Sequence, residues 1–370
     1  MDAPALSSFP APLRPIAEKV LAGVRLDAAE ALACFATPHV LHLGRLADVV
    51  RRRLHGKVAY YNLNRHINPT NVCVYTYNCK FCSFAAMKGE EHAWQMSHEE
   101  IYRFAGKQGG NEVTEFHIVG GLHPDLSLDW YLEMLRGLRE RFPAAHLKAF
   151  TAIEIGWFAK REKLSIEEVL RRLVEAGLGS LPGGGAEIFA PEVREVICDG
   201  KLDAEEWIEV HRTAHRLGLK SNCTMLYGHV EKPEHRVDHL LRLRELQDET
   251  GGFNAFIPLA YHPENNYMGL RYHTTGLEDL RTLATSRLVL DNIPHLKAYW
   301  VMVTPKLAQV ALSFGADDLD GTVVSETIYH MAGAETAQMM PRAELERVVR
   351  EAGFDPVERD TLYRPVGRAA

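Results

Sequence analysis

The chain has 370 residues, of which 46% are hydrophobic and 25% charged; this is the make-up of an ordinary globular protein with ample core, long enough for two domains or for one large barrel with an extension. A formal net charge of −7 and the lack of any basic run beyond Arg51-Arg52-Arg53 argue against a nucleic-acid partner. No apolar stretch approaches a membrane span. Six cysteines in a large chain that opens on prolines and early charges, in place of a signal-peptide core, point to a cytoplasmic protein, not a disulfide framework.

Residues 1–57 read as an N-terminal helical extension. Asp27-Ala-Ala-Glu30 has capping-box form, Thr37-Pro38 supplies an N-cap with proline at the first helical position, and Gly56 closes that helix. Val40, Leu41, Leu43, Leu46, Val49 and Val50 can make its apolar stripe, and Arg51–Arg53 read as a solvated face.

From 58 to 325 strand and helix patterns alternate. The expected strands are Val58–Leu63, His66–Val72, Glu115–Gly121, Leu147–Ile155, Ser180–Phe189, Lys220–Gly228, Ala255–His262, His295–Val303 and Asp317–Thr322. Ser97-His-Glu-Glu100, Ser165-Ile-Glu-Glu168 and Thr275-Gly-Leu-Glu278 open helices between them with capping boxes. Strands recurring every 30–45 residues with helices between mean βαβ units and a parallel sheet. Eight such units from His66 predict an α/β fold, a closed (β/α)8 TIM-type barrel. Residues 326–370 read as a C-terminal helical segment and tail.

The chemistry concentrates in Asn71–Phe84, NVCVYTYNCKFCSF, after the first barrel strand. Cys73, Cys79 and Cys82 fall within ten residues, while Cys34, Cys198 and Cys223 are scattered. An iron–sulfur cluster takes one thiolate per iron, so three from one loop would leave the fourth iron of a [4Fe–4S] cluster open to a small molecule. Zinc is the rival reading; His92 stands near as a fourth ligand, but a second Cys or His pair is missing.

Other polar and glycine-rich residues fall at expected strand ends, where such a barrel places its chemistry. The second barrel strand ends in Gly120-Gly121, where backbone can approach a ligand. The fourth ends in Pro182-Gly-Gly-Gly-Ala-Glu187, with Glu187 either a ligand contact or satisfied at a following helix start. The fifth ends at Tyr227-Gly228. The sixth ends in Tyr261-His-Pro-Glu264, where His262 and Glu264 are candidate donor and acid or base, or structural. Arg65 and His66, before the cysteine loop, can each pair a substrate carboxylate or sit buried. No Ser–His–Asp triad and no phosphate loop stands out.

The cysteine loop resembles that of the radical S-adenosylmethionine (SAM) enzymes, C-x3-C-x2-C with an aromatic before the last cysteine. Phe81 fills the aromatic place and Cys79–Cys82 keep the x2 half, but five residues stand between Cys73 and Cys79 where three are usual. They span up to about 17 Å and can loop out. The resemblance implies a [4Fe–4S] cluster on Cys73, Cys79 and Cys82, with S-adenosyl-L-methionine at the open iron. It also implies Phe81 beside the cluster, Gly120 and Gly121 at the methionine amino group, Glu187 at the ribose, and Tyr227 with Gly228 at the adenine. Asn62–Phe84, Leu147–Ile155, Leu181–Phe189, Gly251–Asn265, Ala308–Thr322 and Pro356–Tyr363 further resemble the aminofutalosine (aminodeoxyfutalosine) synthase family of the futalosine route to menaquinone. This implies a transferase that adds the 5′-deoxyadenosyl radical to the vinyl group of 3-[(1-carboxyvinyl)oxy]benzoate. A flavodoxin or ferredoxin would serve as electron donor. The sister cyclase, cyclic dehypoxanthine futalosine synthase, shares PGGGAE but differs in the sixth-strand segment and the tail. An iron–sulfur electron carrier would need no glycine turns.

Overall fold

In a computed structural model, which describes residues 4–107 and 112–367, ten strands are all in parallel register with their sheet neighbours. They are β1 (Val58–Asn62), β2 (Asn64–Ile67), β3 (Glu115–Ile118), β4 (His146–Ala149), β5 (Ser180–Leu181), β6 (Lys220–Tyr227), β7 (Phe253–Ala260), β8 (His295–Leu296), β9 (Asp318–Gly321) and β10 (Asp355–Glu358). β2 to β8 form one curled sheet in chain order. β9 closes the ring: Lys297 after β8 bridges Asp318, and Val324 after β9 bridges Arg65 in β2. The barrel expected from eight units is therefore present, with β2 as its first strand. β1 lies outside the ring, paired on one side with β9 and on the other with β10.

Helices pack around the sheet, and their starts follow the sequence. Complete capping boxes open Ala28–Ala36 and His98–Ala105; Ser165 and Thr275 accept from the backbone N–H three residues on. The helices Ala28–Ala36 and Val40–His55 lean on the barrel helix Gly276–Val289. The segment before β9 meets the extension too: the Phe314 ring lies over Gly44, where a Cβ would stand 2.4 Å from it.

Several expectations are corrected. The helix after Thr37-Pro38 starts at Val40 with His39 as its N-cap; the Thr37 hydroxyl instead accepts from His39 N–H in a local turn. Arg51 is no solvated side chain: its guanidinium donates to the carbonyls of Ala316, Gly56 and Val58, tying the extension to β1. Several expected strands end early: Ser180–Phe189 stops at Leu181 and His66–Val72 at Ile67, where loops follow, and two others run into helices. Ala152–Glu162 is a helix, begun by a Thr151–Glu154 capping box. Trp300–Val303 is a short buried helix, its indole donating to the Gly321 carbonyl; being buried on all sides, it is as apolar as a strand.

The tail plugs the bottom of the barrel. Arg359 Nε donates to Asp318 at 2.7 Å, Thr361 donates to Glu115 at 2.8 Å, and the Tyr363 ring stacks on His295 at 3.5 Å. Glu115 also takes Lys148 at 2.7 Å, and Lys297 reaches Asp320 at 2.5 Å. Buried charges of this kind persist only when paired.

Candidate active site

The cysteine loop leaves β2 and folds back against the turn after β3. Gly121 N–H donates to the Thr70 carbonyl at 2.8 Å, and Val74 N–H to Leu122 at 3.1 Å. A Cβ on Gly121 would lie 2.3 Å from the Val72 carbonyl oxygen, so glycine is needed there for the loop to seat. The five residues between Cys73 and Cys79 are wound into tight turns, held by Cys79 N–H to the Tyr75 carbonyl at 2.8 Å and by Thr76 Oγ1 to the Cys73 carbonyl at 2.7 Å. The longer spacing is thus absorbed locally. It carries Tyr75 to the cavity wall and leaves Tyr77 outside, donating to Glu90. Lys80 N–H to the Ile197 carbonyl and a Cys79–Cys198 backbone bridge fix the far end of the loop.

Cys73, Cys79 and Cys82 are free thiols lining one cavity. Among the described residues, the groups whose ligand atoms all lie within 4.8 Å are His55 with His295 and Asp317, and His262 with Glu264 and His273; the loop cysteines are not among them. Three thiolates on a single zinc at about 2.3 Å would stand roughly 3.8 Å apart. The wider spread suits a cluster, one thiolate to each iron. The donor set fits a [4Fe–4S] group. Burial pushes the thiols of Cys79 and Cys82 up, so their binding to iron releases protons.

Around the same cavity stand Phe81, Gly120, Gly121, the triple glycine Gly183–Gly185, and Glu187. Glu187 sits at φ +48°, and its Oε1 accepts from the partly buried Lys201 at 2.5 Å. The Lys201 ammonium lies 5.4 Å from the Phe81 ring centre. Tyr227 and Gly228 are not brought to the cavity. On β6 the inward side chains are Asn222, Thr224 and Leu226; the intervening Tyr227 points away and donates to Asp279 at 2.8 Å. His262 lines the cavity wall with Nε2 3.2 Å from the Met302 carbonyl. Glu264 lines an adjoining pocket and pairs with His273 at 2.7 Å. Arg65 points away from the cavity, donating to the Phe104 and Ala105 carbonyls, while His66 faces into it.

Glu154 is the residue that sequence reasoning missed. It lines the cavity, accepts from Gly120 N–H at 3.1 Å and from Thr151 N–H and Oγ1 at 2.7 and 2.9 Å. Burial pushes its carboxyl up to about 7. The signal was available: Thr151-Ala-Ile-Glu154 is a capping box inside a stretch read as strand.

Comparison with known proteins agrees with this geometry. Residues 67–243 match the radical SAM superfamily, and 250–369 match the CofH/MqnC C-terminal region. The chain is 48% identical over 358 residues to aminodeoxyfutalosine synthase of Thermus thermophilus, covering 96% of each, and 47% identical to that of Streptomyces coelicolor, covering 95% and 93%. It is 40% identical to 5-amino-6-(D-ribitylamino)uracil–L-tyrosine 4-hydroxyphenyl transferase of Methanopyrus kandleri, covering 87% and 88%. Among solved structures, methylornithine synthase superposes with a TM-score of 0.69 at 15% identity over 92% of this chain and 97% of that one, which shows the shared fold. The chain belongs to the aminodeoxyfutalosine synthase family of radical SAM enzymes, whose cofactors are a [4Fe–4S] cluster and S-adenosylmethionine.

Proposed function

We propose that the chain joins the 5′-deoxyadenosyl group of S-adenosylmethionine to the vinyl carbon of 3-[(1-carboxyvinyl)oxy]benzoate. Rearrangement onto the aromatic ring and loss of one carboxylate as CO2 or bicarbonate then give aminodeoxyfutalosine for menaquinone synthesis. The observation that carries this reading is the single cavity: the cysteine loop and the glycine turns bound one part of it, and His66, His117, Ile257, Leu259 and Tyr299 bound another. Both reactants of a joining reaction need such a shared space.

Cys73, Cys79 and Cys82 would hold the cluster, which when bound supplies the electron for reductive cleavage of SAM. Gly120 and Gly121 offer backbone to the methionine end, and the adjacent Glu154 carboxylate is a natural acceptor for the methionine ammonium. The Glu187 carboxylate serves the ribose hydroxyls while Lys201 holds it in place. On β6 the wall position belongs to Leu226, so the adenine contact moves there from Tyr227. Ile257 and Leu259 give the aromatic ring of the acid an apolar wall and keep water from a reactive intermediate. His262 stands where it can pass a proton to the product. The reductant is a small electron carrier such as flavodoxin or ferredoxin.

A second reading follows from the archaeal relatives, named as 4-hydroxyphenyl transferases acting on 5-amino-6-(D-ribitylamino)uracil and L-tyrosine; the higher identity to the synthases ranks it below the first. Anaerobic reconstitution with reductant, SAM labelled with 13C at the 5′ position and the enolpyruvyl benzoate decides between them. The expected result is a labelled, adenosylated product. Stoichiometric free 5′-deoxyadenosine with no labelled adduct would overturn the reading.

A further inference from the structure

The cavity is short of cations. Among the described residues that line it, the side chains able to carry positive charge are His66, His117, His262 and Lys201, and no arginine is among them. Lys201 is engaged by Glu187 at 2.5 Å, and His262 already contacts the Met302 carbonyl. Of the carboxylates in the wall, Asp320 is matched by Lys297 and Glu326 by His330 at 2.9 Å, while Glu154 accepts only from Gly120 and Thr151. Two of these rings keep a buried nitrogen with no partner, Nδ1 of His262 and Nε2 of His66. His262 lies beyond the end of β7, whereas His66 is 7% exposed and sits within β2. His66 and His117 are register partners on β2 and β3, and their rings stack at 4.6 Å and 11°. Both lie within the strands, below the loops that follow them, so they face the end of the cavity away from the cysteines.

We propose that the stacked His66–His117 pair is the subsite for the benzoate carboxylate of the acid substrate. The inference rests on the proposed function and deepens it. The enolpyruvyl end must meet the 5′-carbon near the cysteine loop, so the benzoate end points inward, toward these two rings. In the Nε2–H tautomer, His66 donates to a carboxylate oxygen without having to carry charge. Burial favours that neutral ring, holding its pKa down to about 4. A buried donor without a partner is the kind of group that a ligand satisfies. The stack keeps the donor from turning away, because His117 holds the face of the His66 ring.

The test uses the reconstituted, unreduced holoenzyme in calorimetric titrations, so that nothing turns over. Two probes are compared: 3-[(1-carboxyvinyl)oxy]benzoate, and the same molecule with the benzoate carboxylate replaced by carboxamide. The wild-type protein is expected to prefer the acid by roughly tenfold or more, the scale of one hydrogen bond to a charged group. His66→Phe should bring acid and amide to within about threefold, while SAM affinity and cluster absorbance stay as they were. His66→Gln, which keeps a donor, should retain part of the preference; should the Phe variant lose its cluster, His66→Gln and His117→Phe carry the same ratio measurement. If His66→Phe or, in its place, His117→Phe keeps the full preference while the wild type turns the acid over, the subsite is overturned and the function stands. If the wild type neither binds nor consumes the acid, the function falls and the subsite with it.

Discussion

The lower barrel, where Arg359 reaches Asp318 and Lys148 reaches Glu115, and the cavity above it, where His66 Nε2 has no partner, are both polar and both buried. In the lower region each charge named is answered from within the chain, much of it by the tail, and the result is a fixed plug. In the upper region thiols, two imidazole nitrogens and glycine-lined backbone are left open. The same barrel therefore holds polar groups that stabilise the fold beside polar groups that serve ligands. What separates them is whether a partner comes from the chain itself.

Substitutions can break that contrast from either side. The largest effect is expected at the cysteines: Cys73→Ala, Cys79→Ala and Cys82→Ala should each abolish the cluster absorbance and its paramagnetic signal in the reduced state, with complete loss of activity. Cys198→Ala, although Cys198 is bridged to Cys79 through the backbone, should keep a full cluster. In the plug, Arg359→Ala leaves Asp318 without its buried partner. It should cost about 3–5 kcal/mol in denaturant unfolding, with iron and sulfide content normal in the fraction that folds.

Acid should loosen the whole molecule. Burial holds His66, His146 and His215 down to about 4, and His239 to about 3. The unfolded chain takes up protons at these rings near pH 6.5, and the folded protein only near 4 or below. Stability is therefore full above about pH 6.5 and falls as the pH drops through that window, each ring contributing on the order of 1.4 kcal/mol per pH unit. Unfolding free energies between pH 7 and 4.5 check this; a flat profile would mean that these rings are protonated in the fold.

The smallest effects compare two residues near the SAM side. Glu187→Gln should weaken SAM binding by about 1–3 kcal/mol with cluster content unchanged, since the ribose contact is lost and Lys201 loses its counter-charge. Tyr227→Phe, which removes only the bond to Asp279, should leave SAM affinity unaltered and cost about 1 kcal/mol of stability. Equal losses of SAM affinity in the two variants would return Tyr227 to the site.

Much of this was legible in the chain. Turn glycines and capping boxes marked where strands gave way to helices, and the cysteine spacing marked the cavity's chemical end. Side-chain facing was not legible on β6, because a parallel strand buried on both faces carries apolar residues on each; choosing between Leu226 and Tyr227 needs the register. Glu154 was hidden by reading Leu147–Ile155 as one strand across a helix start. The pairs Glu115–Lys148 and Arg359–Asp318 join residues far apart in sequence, so nothing local announces them. The segment 355–358, read as tail, is the strand β10 because β1 offers it an edge.

The closing seam of the barrel sets a timetable. Asn64 N–H donates to Thr322 Oγ1 across 258 residues of chain, and among the described residues β1 pairs only with β9 and β10. At a synthesis rate of about 5–20 residues per second, Val58–Asn62 waits on the order of 13 to 50 seconds for its partners. Throughout that interval a short segment with two adjacent tyrosines is an unpaired edge, open to any other strand in the cell. The seam that makes the finished barrel closed also makes the nascent one a client for chaperones, and expression yield should answer to changes in β1 more sharply than its five residues suggest.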